Sequence, residues 1–120
     1  MNGLQSFGSV ASYCASKAAV DMLTKCAAVD LAPFKIRVNA VNPGVVVTNL
    51  QKTGGMTEEN YGGFLERSKT VTHPLAANRD ELCQPDDVAN LIVFLLSEKS
   101  KWITGDSIKI DGGRACLGAR

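Results

Sequence analysis

The apolar positions in the first third of the chain repeat with a helical period. Ala15, Ala18, Ala19, Met22, Leu23, Cys26 and Ala27 recur at spacings of three and four, which draws one stripe along an α-helix. Small residues dominate the stripe, and small residues let a helix backbone come close to a sheet or a second helix. The stripe is therefore expected to be the packing face, with Ser9 or Ser12 capping the start and Pro33 stopping the helix. Ile36, Val38 and Ala40 then alternate with other residues up to Asn42, just before Pro43-Gly44, which predicts a strand over 36–42 ending in a turn. A long helix leading into a mostly apolar strand is the α-to-β step of a parallel layered sheet.

Residues 49–84 break this pattern with Gly54-Gly55, Gly62-Gly63 and Pro74. One short helix is predicted there. Thr57 caps it, Glu58 and Glu59 sit at its positive end, and Tyr61, Phe64 and Leu65 share a face. A glycine inside a helix costs about 1 kcal/mol relative to alanine, so this helix is expected to be marginal and mobile. A long, polar, glycine-bearing insertion in a compact domain is expected to serve as a lid or binding loop. Regularity returns at Pro85-Asp86-Asp87, a favourable helix start, followed by the stripe Val88, Leu91, Ile92, Leu95 and Leu96. Thr104-Gly105-Asp106 predicts a turn, and Ser107–Asp111 a closing strand before Gly112-Gly113. Helix, strand, insert, helix, strand is half of an α/β sandwich.

Composition narrows the classes. With 120 residues, 45% hydrophobic and 21% charged, the chain is a soluble globular protein of at most one domain. A net charge of +1 offers no footprint for nucleic acid or for an anionic membrane. The longest apolar runs, such as Leu91–Leu96, fall far short of the ~18 residues that span a bilayer. Cys14, Cys26, Cys83 and Cys116 lie far apart with no Cys-x-x-Cys pair, which fits thiols in a reducing compartment, with the cytoplasm as the default. His73 is the only histidine, sits before Pro74 in a polar loop, and has no neighbouring ligand pattern, so no metal is expected.

Tyr13 and Lys17 stand four apart, one helical turn, on the face opposite the alanine stripe. A phenol titrating near about 10 is a poor proton-transfer group at neutral pH. A neighbouring ammonium favours the phenolate and makes such a group a usable general acid or base. The plain alternative is a surface helix on which Lys17 pairs with Asp21. Taken alone, the pair is weak.

Its surroundings are specific. Tyr13-Cys-Ala-Ser-Lys17 is followed by Arg37-Val-Asn-Ala-Val-Asn-Pro-Gly44, Thr48, Ile103-Thr-Gly105 and Asp111-Gly-Gly113. In that order and spacing, these motifs resemble the C-terminal half of the short-chain dehydrogenase/reductase family, from the first residues to about Gly113. The resemblance implies the second half of a doubly wound, Rossmann-like parallel sheet with flanking helices, in a single partial domain over 1–120. It implies an NAD(P)-dependent oxidoreductase that passes hydride between a nicotinamide, NAD or NADP, and a carbonyl or secondary alcohol. Tyr13 would exchange the proton, and Lys17 would assist it and bond the nicotinamide ribose. Pro43, Gly44, Val46 and Thr48 would hold the nicotinamide carboxamide, at the strand edge where such folds bind ligands. Thr104-Gly105 and Gly112-Gly113 would shape the last strand and a subunit contact, in a homo-oligomer, tetramer or dimer.

No Gly-x-Gly-x-x-Gly occurs in the chain, and the family's catalytic serine has no counterpart, since Ser6 and Ser9 fall too near Tyr13. The resemblance thus implies a fragment whose apolar stripes lack the sheet they would cover. The isolated chain is expected to be inactive, and poorly folded, aggregated or in need of a partner. The alternative is a non-catalytic short subunit, a structural or regulatory partner of the full-length oxidoreductase. Asn2, Gly3, Val45, Val47 and the surroundings of Phe64 are the candidate substrate neighbours.

Overall fold

The computed structural model describes residues 11–50 and 55–117. Ser6, Ser9, Asn2 and Gly3 lie outside them. Helix α1 runs Ala11–Leu31. Ser12 is inside it rather than capping it, because the helix already includes Ala11. A 3-10 turn over Ala32–Phe34, with Pro33 in its first positions, ends the helix, and Lys35 closes it in the left-handed region at φ 59°. The Lys35 N–H donates to Ala32 O at 2.9 Å.

Strand β1 is Ala40–Pro43, four residues, and β2 is Ser107–Ile110. They pair in parallel with Ala40 opposite Ser107 and Pro43 opposite Ile110. The expected strand over 36–42 therefore starts late. The cause is a side-chain network that intervenes at residues 37–39, beside the backbone bond from the Gly105 N–H to Val38 O at 2.7 Å. Arg37 donates to Leu95 O at 2.6 Å and to Ile103 O at 3.1 Å. Thr104 Oγ1 accepts from the Val38 N–H, and Asn39 donates to Ile103 O while accepting from the Asp106 N–H. Ladder bonding begins only where this network ends. Pro43, which has no N–H to give, is tolerated because it is the last residue of its strand.

The insert is more regular than its glycines suggest. Helix α2 spans Glu58–Arg67, with the Thr57 side chain accepting from the Asn60 N–H as expected of its cap. A π-helical segment over Ser68–Thr72 continues it, and helix α3, Pro74–Arg79, follows directly. A Cβ on Gly62 or Gly63 would meet nothing within 4 Å, so both glycines face outward and leave the packed face of α2 intact. That face includes Tyr61, which is buried. Helix α4, Pro85–Leu96, begins with a reciprocal cap in which the Gln84 N–H donates to Asp87 Oδ2 at 2.8 Å.

The face of α1 that packs is a correction to the expectation. Thr24 and Ala28 are buried, and Asp21, Ala27 and Leu31 are half-buried. Of the alanine stripe only Ala27 is covered, while Met22 and Leu23 are 58% and 66% exposed. Close approach decides it: a Cβ on Gly105 would lie 3.4 Å from the Ala28 Cβ, so the turn before β2 fits against the small residues of the other face. Among the described residues the core is correspondingly small, with Ala28, Tyr61, Ala76, Leu82 and Leu95 as its buried apolar members. The radius of gyration is 15.9 Å, above the about 13.6 Å of a compact domain this long. The result is an α/β arrangement around a short parallel sheet.

Candidate functional site

The covered face of α1 reads Asp21, Thr24, Ala28 and Leu31, spaced by three and four. Tyr13 and Lys17 continue that line toward the helix start, and both are exposed. Lys17 Nζ lies 5.3 Å from the centre of the Tyr13 ring, within cation–π range. Tyr13 remains 49% exposed. Lys17 does not ion-pair with Asp21 among the described residues. Asp21 Oδ1 instead accepts from Asn42 Nδ2 at 3.2 Å. Burial works against the Asp21 charge, but the Ser107 and Asn42 side chains together with nearby positive charge, Lys25 included, hold its carboxyl below the ordinary aspartate range. One turn beyond Lys17, the helix is thus tied to the residue that precedes Pro43-Gly44.

The segment after β1 is held from several sides. The Gly44 N–H donates to Ile110 O at 3.1 Å and the Val47 N–H to Cys83 O at 3.0 Å. The Val45 N–H donates to His73 Nε2 at 3.1 Å. The Val46 N–H, in contrast, has no partner among the described residues. Thr48 is half-buried; its carbonyl accepts from the Tyr61 hydroxyl at 2.8 Å, which pins helix α2 to the end of this segment. The expected site residues Pro43, Gly44, Val46 and Thr48 therefore form one ledge, carrying a free amide donor and a threonine side chain. An amide-bearing ring needs an arrangement of that kind: a donor for its carbonyl and a hydroxyl for its NH2 group.

His73 is the residue that sequence reasoning placed wrongly. It is 3% exposed, beneath the ledge, not in a polar loop. Its position directly before Pro74, with Ser68 and Thr72 close by in sequence, was the available signal, but its partner Val45 is too distant in the chain to be inferred. Burial, reinforced by the Arg114 charge, pushes its pKa down, against the opposing pull of Ser68 O and Asp111. A cavity of about 230 Å³ opens beside it, lined by Val45, His73, Leu82, Cys83 and Asp111 among others, and by neither Tyr13 nor Lys17. Burial and the Asp87 carboxylate push the Cys83 thiol up, away from reactivity. Among the described residues no three His, Cys, Asp or Glu side chains converge, and no helix is long and apolar enough to cross a membrane.

Comparison with known proteins now decides the family. The profile of the family described as enoyl-(acyl carrier protein) reductase matches residues 1–115. The chain belongs to the short-chain dehydrogenase/reductases. It is 42% identical over 103 residues to D-erythrulose reductase of Gallus gallus, and 41% identical over 101 residues to L-xylulose reductase of Mus musculus. These matches cover 86% and 84% of this chain but only 38% of either relative, so the chain spans well under half the length of the family members it matches. A short-chain dehydrogenase/reductase of Caenorhabditis elegans, solved with cofactor, superposes with a TM-score of 0.85 at 33% identity, covering 96% of this chain and 42% of that one. A Francisella tularensis family protein superposes at 0.79 and 38% identity, covering 96% and 48%.

Proposed function

We propose that these 120 residues supply the proton-transfer and nicotinamide-holding part of an NAD(P)-dependent oxidoreductase acting on a carbonyl compound or secondary alcohol. The supporting observation is a juxtaposition. Helix α1, which carries Tyr13 and Lys17, is tied through Asp21 to Asn42, one residue before a ledge whose Val46 N–H has no partner among the described residues.

Each residue has a role that its surroundings permit. Tyr13, half-exposed near the start of α1, gives a proton to a substrate oxygen during reduction and takes one during oxidation. Lys17, whose Nζ lies 5.3 Å from the ring centre, presents its ammonium to a ribose hydroxyl beside the phenol. The Val46 N–H and the Thr48 hydroxyl hold a carboxamide, and Pro43-Gly44 brings the backbone close enough to do so. A nicotinamide, when bound, supplies or accepts the hydride. Helix α2, anchored to Thr48 by Tyr61, covers the substrate and keeps water from it.

The names of the related proteins point to a small polyhydroxy ketone as the substrate. The exposed stripe of Ala15, Ala18, Ala19, Met22 and Leu23 is then the face through which copies associate in a dimer or tetramer. The test joins residues 1–120 to the upstream portion of the mouse L-xylulose reductase and follows NADH and NADPH oxidation with a ketose. Tyr13→Phe should remove turnover by several orders of magnitude with cofactor binding retained. Wild-type turnover in that variant would refute the assignment.

A further inference from the structure

We propose that His73 is a positioning residue: its neutral imidazole is the strut that couples the Pro43–Thr48 ledge to the insert, and its protonation releases the ledge. This rests on the nicotinamide role given to that ledge. The hydrogen bonds assign the tautomer. Nε2 accepts the Val45 N–H at 3.1 Å, so the ring proton is on Nδ1, within 2.9 Å of both Ser68 O and Thr72 Oγ1. One ring therefore bonds the ledge through one nitrogen and the π-helical end of the insert through the other. Segments of π-helix are frequent at functional sites, and this one delivers its carbonyl of Ser68 to the imidazole.

The fit is tight on the ledge side. A Cβ at Gly44 would stand 2.8 Å from His73 Nε2 and 3.0 Å from Asp111 Cα. Protonation would turn Nε2 into a donor facing another donor, the Val45 N–H, and that bond would be lost. The neighbour of Val45 is Val46, whose free N–H is the group offered to the carboxamide. The charged and titratable groups near the ring come from every side: Asp111 after β2, Arg114 in the final 3-10 turn, Arg79 and Glu81 around the end of α3, and Cys83 and Asp87 around the start of α4. Arg114 opposes a charge on the ring and Asp111 favours it, and burial opposes it most.

His73 is the only histidine of residues 1–120, so segmental 15N labelling of those residues, joined to the upstream portion of the mouse L-xylulose reductase, gives imidazole nitrogen signals with a single source. The expected result is the Nδ1–H tautomer, with the Val45 amide moving at the same midpoint as the ring on acidification. An Nε2–H tautomer, a free-imidazole titration, or a Val45 amide indifferent to it would overturn the strut. The second arm uses residues 1–120 joined to the upstream portion of the mouse L-xylulose reductase. On acidification the cofactor KM should rise several-fold across the pH range in which the ring titrates, with kcat changed less. In His73→Gln, whose amide oxygen accepts throughout that range, the KM should be flat, and in His73→Phe it should be raised throughout. Retention of the wild-type pH profile by His73→Gln would overturn the proposal. The tautomer is read without cofactor, so a correct tautomer with no cofactor binding would sink the nicotinamide reading alone.

Discussion

Gly44→Ala tests the closest approach at any glycine among the described residues. The added methyl would come within 2.8 Å of His73 Nε2 and 3.0 Å of Asp111 Cα. Asp111 is poorly placed to retreat: it is buried, and its carboxylate accepts from the Gly113 N–H at 3.0 Å and the Ala115 N–H at 2.9 Å. The imidazole must give instead, and it is held at Nδ1 by Ser68. Overpacking of this kind costs about 1–3 kcal/mol. Loss of the Val45 bond adds about 1 kcal/mol. The expected destabilisation is therefore about 2–4 kcal/mol, a large share of the 5–15 kcal/mol typical of a folded domain. Urea unfolding of residues 1–120 joined to the upstream portion of the mouse L-xylulose reductase, followed by far-ultraviolet circular dichroism with hydrogen exchange at the Val45 amide, measures both parts. With a slope of about 2 kcal/mol per molar, the midpoint should fall by roughly 1–2 M. A loss below about 0.5 kcal/mol with Val45 still protected would refute the close-approach argument.

Other outcomes follow from the same contacts. Gly62→Ala and Gly63→Ala, both with open space at Cβ, should each stabilise α2 by about 1 kcal/mol, read as a higher urea midpoint; a loss would mean that the glycines are not outward-facing. Tyr61→Phe removes the hydroxyl that donates to Thr48 O and should cost about 1 kcal/mol, with faster hydrogen exchange across 58–67; unchanged exchange would show that the bond does not anchor α2. Burial lowers the His73 pKa below its unfolded value of about 6.5, so the unfolded chain binds the extra proton first as pH falls. Stability should therefore be level above that value and decline below it until the folded pKa is reached. Thermal melting at pH 7.5 and pH 5.5 shows the decline, and His73→Gln should diminish it.

Much of the fold was legible because its signals are local. The Thr57 cap, the Pro85-Asp86-Asp87 start and the Pro33 stop act within a turn of the residues they govern, and all three elements form where those signals stand. The beginning of β1 was not legible, because the side chains of Arg37, Asn39 and Thr104 claim backbone partners more than sixty residues away. The packing face of α1 was misjudged for a related reason. Apolarity marked Ala15, Met22 and Leu23, but contact went to Thr24 and Ala28, where small size and the turn at Gly105 allow close approach. The order of motifs singled out Tyr13, Lys17 and residues 43–48 as candidates, whereas the buried place of His73 and the Tyr61 bond to Thr48 depend on how the insert folds back over the strand end.

The central claim is that the ledge beyond Asn42 receives a nicotinamide beside Tyr13 and Lys17. Amide and side-chain ammonium shifts, recorded while NADH or NADPH is added to residues 1–120 joined to the mouse L-xylulose reductase's upstream portion, test it most directly. The Val46 amide, the Thr48 amide and the Lys17 ammonium should move together and saturate at one cofactor concentration. Shifts confined to the cavity at His73, Leu82 and Cys83, with Val46 and Lys17 unmoved, would contradict the claim.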